Sequence, residues 1–283
     1  DGYYQRALAI AAPSFGDRSS VVASLWAEIA AVQYRRGALA DALASIDRST
    51  AAREQLLGAD HPDLVFNLVQ RGRILDELDR LAEAATALAR AQHITEARLG
   101  VEHRSLVAVL EDLGRVHGRL GDRPRARAEL LRAIAIAATN GDAAMTATAE
   151  SAFAEYLHGD GRPREALPYY LKALASYEAL YGPEDPRLSA VLLDTGLAYL
   201  DLYQAARALP YLTRSIAVEE ASSGATSLRL LTPLTALGDA RRATGDRTGA
   251  RAAWERALAL PGAEVASPEE IAALQKKLGR AAP

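Results

Sequence analysis

Apolar positions along this chain recur three and four residues apart, the spacing of one helix face rather than of a strand. One stretch places Leu188, Val191, Leu192, Ala198 and Tyr199 on a single stripe. Another does the same with Ala166, Tyr169, Tyr170, Ala173, Leu174 and Tyr177. Turns between such stripes are marked by Gly37, Gly121, Gly161 and Gly245, with Asp79 and Tyr203 in the corresponding places of two more. A glycine there supplies the left-handed cap that ends a helix. A second helix then opens, often with Pro or Arg near its start, as in GDRPRARAELLRAIAIA. The pattern predicts helices joined in pairs, an all-α chain.

The pairs repeat. GADHPDL at Gly58 is followed 42 residues on by GVEHRSL at Gly100, and GPEDPRL at Gly182 by GATSLRL at Gly224. GDRSSVV at Gly16 lies the same distance before Gly58, and a weaker member at Gly141 lies 41 residues from each neighbour. A second register runs through Ala42, Ala84, Ala126, Ala166, Ala208 and Ala250. A third holds a small residue in the middle of each first helix: Ala30, Gly72, Gly114, Ala154, Gly196 and Gly238. Three registers sharing one period predict six tandem hairpins over residues 16–266. The shorter spacing at the fourth predicts a shortened Ala138–Met145 loop and an irregularity in the superhelix there.

A hairpin of this kind leaves an apolar face that only a neighbour can cover, so the array needs several members and a polar cap. Residues 267–283 read as that cap and tail. Ser267 is placed to cap the helix, Pro268 at its first position, Glu270 in a capping box, and Ile271, Leu274 and Leu278 on one apolar stripe. At the other end, YYQRALAI from Tyr3 restates YYLKALAS from Tyr169. Residues 1–15 therefore read as the second helix of a repeat whose first helix lies outside the chain, and the 283 residues as a piece of a longer protein.

Composition narrows the picture. Apolar residues make up 49% but aromatics only 6%, so Ala and Leu carry a core of closely spaced helices. The 33 basic and 36 acidic residues balance to a net charge of −3, which points to neither a nucleic-acid nor a membrane partner. There is no cysteine, which removes disulfides and thiolate metal sites and fits a cytoplasmic location. No apolar run reaches the roughly 18–20 residues of a membrane span.

With G-x-x-H-P-x-L, a small residue in the first helix, G-x-x-x-E-A and a second helix ending A-L, the chain resembles the tetratricopeptide repeat. The 42-residue period resembles the form found in kinesin light chains and in bacterial signalling proteins, including regions that follow some Ser/Thr kinase domains. The resemblance implies a right-handed α-solenoid of helical hairpins whose concave groove, lined by first helices, holds a peptide or another domain. The kinesin-light-chain form carries an asparagine pair in its first helix. The corresponding pairs here are Ala27-Glu28, Val69-Gln70, Glu111-Asp112, Ser151-Ala152, Leu193-Asp194 and Thr235-Ala236, and none contains asparagine, so that clamp is not carried over.

Residues three, four and seven beyond the first member of each pair share its face. They predict a groove lined by Val69, Arg73 and Asp76, then by Glu111, Arg115 and Gly118 with Arg119 alongside, then by Leu193, Leu197 and Leu200. The arginines would face an acidic feature of a partner and the leucines an apolar anchor. The alternative is that Arg73 and Arg115 pair with Glu77 and Glu111 while the leucines pack on second helices. The cluster Arg115, Arg119, Arg123, Arg125, Arg127 and Arg132 reads as solvated, because Asp112, Asp122 and Glu129 interleave with it and no aromatic platform accompanies it.

Nothing signals catalysis. His61 and His103 share one turn position, and the chain has no H-E-x-x-H, no G-x-x-x-x-G-K and no G-x-S-x-G. The expectation is a non-catalytic protein-interaction scaffold without metal or cofactor, its oligomeric state open. The alternative is the docking or regulatory arm of a larger enzyme, such as a bacterial Ser/Thr kinase with its catalytic domain upstream.

Overall fold

The computed structural model describes residues 2–16, 19–263 and 268–279. Among them are fourteen α-helices and no strand. They are α1 (Gly2–Phe15), α2 (Ser20–Arg35), α3 (Leu39–Leu57), α4 (Leu64–Glu77), α5 (Leu81–Leu99), α6 (Leu106–Arg119) and α7 (Arg123–Thr139). The rest are α8 (Ala143–Gly159), α9 (Pro163–Tyr181), α10 (Leu188–Asp201), α11 (Ala205–Ser223), α12 (Leu231–Ala243), α13 (Arg247–Leu258) and α14 (Pro268–Lys277). A short 3-10 turn, Leu228–Leu230, precedes α12.

The chain divides into two compact units, residues 1–142 and 143–283. In the first, α2/α3, α4/α5 and α6/α7 are hairpins, with α1 packed on α2; in the second, α8/α9, α10/α11 and α12/α13 are. Within each unit, successive first helices approach one another more closely than successive second helices do. First helices therefore form the inner face of each stack. The loop between α7 and α8 holds only Asn140, Gly141 and Asp142, the shortening read from the period.

The small residue of each first helix explains how the hairpin closes. A methyl group added at Gly72, Gly114 or Gly196 would lie 2.6, 2.5 or 2.5 Å from the side chain of Leu88, Leu130 or Leu212. Those leucines are fully buried, so the bare glycine is what lets the second helix approach. The turns behave as the sequence reads. Asp79 (φ 59°) and Tyr203 (φ 58°) are the non-glycine residues with positive φ among those described, and both stand where other repeats use glycine.

Loops between hairpins are held by a side-chain acceptor three residues after their glycine. The backbone N–H of Asp63 donates to His61 Nδ1 at 3.2 Å, and that of Ser105 to His103 Nδ1 at 3.2 Å. Arg187 N–H meets Asp185 Oδ1 at 2.9 Å and Arg229 N–H meets Ser227 Oγ at 3.3 Å in the same way. The two histidines are thus turn residues.

Second helices, being farther apart, are bridged by arginines. Arg90 of α5 reaches Glu54 of α3 at 2.6 Å and the Ala59 carbonyl at 2.5 Å. Arg132 of α7 reaches Glu96 of α5 at 2.6 Å and the Val101 carbonyl at 2.7 Å. In the other unit Arg214 takes Glu178 and the Pro183 carbonyl, and Arg256 takes Glu220 and the Ala225 carbonyl. The corresponding residue of α9 is Lys172, which pairs with Glu150 instead. Helix α14 buries Ile271 and Leu274 in the core of the second unit, where Leu278 also packs, and its Lys277 donates to Asp239 at 2.7 Å. Ser267, read as its cap, lies outside the described residues.

Candidate functional site

The inner face of each unit carries the residues that the spacing assigns to a groove. In the first unit α4 and α6 contribute two buried aspartates, Asp76 and Asp112, only 4% and 5% exposed. Carboxylates are not buried without partners, and three arginines serve them. Arg73 Nε donates to Asp112 Oδ2 at 2.7 Å, and Arg115 Nη2 to Asp112 Oδ1 at 2.5 Å. Arg115 Nε lies 3.2 Å from Asp76 Oδ2. Arg119 Nη1 donates to Asp76 Oδ1 at 2.5 Å, and its Nη2 to Asp79 Oδ1 at 2.9 Å. Burial pushes the Asp112 carboxyl up, against Arg73 and Arg115, which pull it down. Tyr34 of α2 stands beside this lattice, its phenol raised by burial and by Glu77, with Arg115 and Arg73 opposing.

Arg73 and Arg115 therefore pair with Asp112 and Asp76, not with Glu77 and Glu111 as helix spacing suggested. Asp112 serves Arg73 from the neighbouring first helix and Arg115 from within its own, three residues away, while Asp76 reaches Arg115 from the neighbouring one. Val69 is buried in the core of the first unit, whereas Glu111 is partly buried. The wider arginine cluster is also engaged: Arg125 lies 3.4 Å from Asp122, and Arg132 belongs to the bridges between second helices.

In the second unit the corresponding steps carry different chemistry. Leu193, Leu197 and Leu200 of α10 are partly buried and pack against the core formed with α11 and α12. Their edges form an apolar ridge on the inner face. Beside it, Asp194 holds the step of Asp112, and Glu155 of α8 the step of Arg73 and Arg115. Where the first unit sets a guanidinium against a carboxylate, the second sets two carboxyls together. Burial, and then Glu155, raise the Asp194 carboxyl to about 7. One step along the face, His158 Nε2 meets Asp201 Oδ2 at 2.7 Å, the register of Asp76 with Arg119 but with acid and base exchanged.

Spacing alone did not bring out Tyr34, His158 or Asp201 as members of this face; all three lie on the inner-facing steps of their helices. Among the described residues no group of three His, Asp or Glu could hold a metal ion, and no helix is long and apolar enough to cross a membrane.

Comparison with known proteins bears on the whole array. Residues 145–221 and residues 27–63 each match a tetratricopeptide repeat family model. No curated protein matches the chain. Among solved structures, BtubC (BKLC) from P. vanneervenii is similar over 87% of this chain and 94% of its own, with 21% identity and a TM-score of 0.68. A kinesin-light-chain candidate from Podosopora anserina with nearly identical TPR-like repeats is similar over 72% of this chain and 98% of its own, at 21% identity and a TM-score of 0.61. A Rap protein complexed with competence and sporulation factor is similar over 92% of this chain and 74% of its own, at 12% identity and a TM-score of 0.66. At these identities the likenesses speak to fold. Together with the 42-residue hairpins, they show that the chain has the fold of the tetratricopeptide-repeat solenoids, and two of its stretches match the repeat itself.

Proposed function

We propose that the chain is a non-catalytic interaction scaffold, acting in the cytoplasm, that holds a segment of a partner protein along the inner face of its first helices. The observation that carries this reading is the ridge of Leu193, Leu197 and Leu200, left partly exposed beside acidic side chains. A leucine whose only task is packing has no need of an open edge on three successive turns. In the first unit the same steps hold Val69, Arg73 and Asp76, closed into the core and the ion lattice, so the two units offer a partner different surfaces. The lattice arginines keep roughly two-fifths of their side chains exposed, which leaves N–H groups for a carboxylate of the bound segment. The Rap relative, crystallised with competence and sporulation factor, supports the reading that such an array serves as a receptor for another molecule.

The direct test is Leu193→Asp with Leu197→Asp. Both side chains lie at the edge of the core, so helicity by circular dichroism should stay near wild type. Partner recovery from the source cell should fall to background. Unchanged recovery would show that the apolar face is not the site.

A further inference from the structure

The turns that close the six hairpins share one left-handed residue. Gly37, Gly121, Gly161 and Gly245 hold it in four of them, Asp79 and Tyr203 in the other two. A residue with a side chain adopts that geometry at a cost. Asp79 has a visible return for it. Arg119, at the end of α6, donates through Nη2 to Asp79 Oδ1 at 2.9 Å and through Nη1 to Asp76 Oδ1 at 2.5 Å. One long side chain thus lies across the end of α4 and its turn. In the second unit Leu200 and Tyr203 hold the steps of Asp76 and Asp79, and Ala243 of the neighbouring first helix α12 holds the step of Arg119. Tyr203 has no such return. It is 97% exposed, and its ring makes no hydrogen bond, ion pair or ring contact with any described residue. No arginine of α12 reaches over to it: Arg241 donates to the Gly249 carbonyl at 3.2 Å, and Arg242 lies over the Trp254 ring at 5.3 Å. A lone exposed tyrosine would need no explanation. One held in a strained turn with nothing to touch does.

We infer that Leu200, Tyr203 and Ala243 form an apolar step at the ends of α10 and α12, which takes one large apolar side chain of the partner segment, of leucine size or larger. This rests on the inner face being the binding surface. Leu200 is the last residue of the leucine ridge, so a segment lying along the ridge continues onto Tyr203. The first unit shows the same step covered by a long side chain, that of Arg119, supplied from within. The walls there are carboxylates and the occupant is a cation. In the second unit the walls are a leucine and a phenol ring, and the occupant changes with them. A charged side chain would lose hydration against Leu200 and Ala243 with no counter-charge to replace it. The nearest acid in sequence, Asp201, is already met by His158 Nε2 at 2.7 Å. Tyrosine suits such a contact because it offers a large, rigid face that is ordered at little entropic cost.

The test uses the whole chain and two fluorescent peptides of serine, glycine and leucine. Both carry a central leucine for the ridge. One also carries leucine three residues to either side, so that either direction of binding places one at the step; the other carries serine there. The leucine-flanked peptide should bind the wild-type chain roughly tenfold more tightly. Tyr203→Gly should erase that advantage and leave the melting temperature at or above that of wild type, because it removes a side chain from a left-handed turn. A tyrosine that served only the fold would give the opposite: a lower melting temperature with the advantage kept. Leu200→Asp, Tyr203→Asp and Ala243→Arg together install the first unit's arrangement and should also erase the advantage. Equal binding of both peptides to the wild-type chain, failure of both to bind, or an advantage that survives Tyr203→Gly, overturns the apolar step. Leu193→Asp with Leu197→Asp separates the two readings. If that pair abolishes binding of peptides that wild type holds equally, the step falls and the inner face stands. If binding is indifferent to the pair, both fall.

Discussion

Asp112 and Asp194 are one position of the repeat placed in opposite fields. Two guanidiniums meet the first, while a carboxyl and a buried phenol meet the second, Glu155 from α8 and Tyr170 from α9. The second therefore titrates near 7 rather than near the ordinary carboxylate value of roughly 4. A folded value raised above the unfolded one means that the native state binds the proton more tightly. The stabilisation is complete below about pH 4 and is lost as the pH rises through 7. Asp194→Asn should flatten that part of the profile and leave the variant more stable than wild type at pH 8, on the order of 2 kcal/mol after discounting for the partial exposure of the side chain. Urea unfolding of both chains between pH 4 and 8 measures it; parallel profiles would contradict it. Little of this was legible in the sequence. Spacing along one helix put Glu77 and Glu111 beside Arg73 and Arg115, because a one-dimensional pattern reads only intrahelical neighbours. The true acceptors are aspartates: Asp112 reaches Arg73 and Asp76 reaches Arg115 from the neighbouring helix, and Asp112 also takes Arg115 within its own.

At the scale of the helix, the reverse holds. Hairpins, their turns and their close contacts were legible because each signal is written six times in one chain. Gly72, Gly114 and Gly196 recur with the leucines that press on them, and Asp79 and Tyr203 take up left-handed turns at positions the period had already marked. The arginine bridges between second helices were not legible, though Arg90, Arg132, Arg214 and Arg256 keep the same period, because the acceptors of each lie on another helix and in a loop. Each bridge joins a carboxylate on the neighbouring second helix to a loop carbonyl, so it ties three parts of adjacent repeats together. Half-exposed ion pairs contribute modestly, and the carbonyl bond adds to them. Arg90→Ala and Arg214→Ala should each cost about 1 kcal/mol, and the double variant the sum, because the two bridges lie in separate units. Chemical denaturation of the three variants checks this. A loss well beyond the sum would show that the bridges act as one network.

Across the whole molecule, repetition explains both how much was readable and where reading stopped. In a stack each hairpin contacts its neighbours, so a period found in the sequence carries directly into the architecture. On the function proposed above, binding is set by departures from the period: leucines, a histidine and acids at steps where other repeats hold arginine or aspartate. Those departures are visible as letters, but their meaning depends on what faces them across the stack. The central claim, that the inner face of the first helices is where a partner lies, is tested most directly by photo-crosslinking. A photoreactive amino acid placed at Leu197 on the inner face of α10, and in a separate chain at exposed Thr213 of α11, is irradiated in the cell that makes the protein. The account predicts a discrete crosslinked species from position 197 and none from position 213. An adduct from 213 with none from 197 would contradict it.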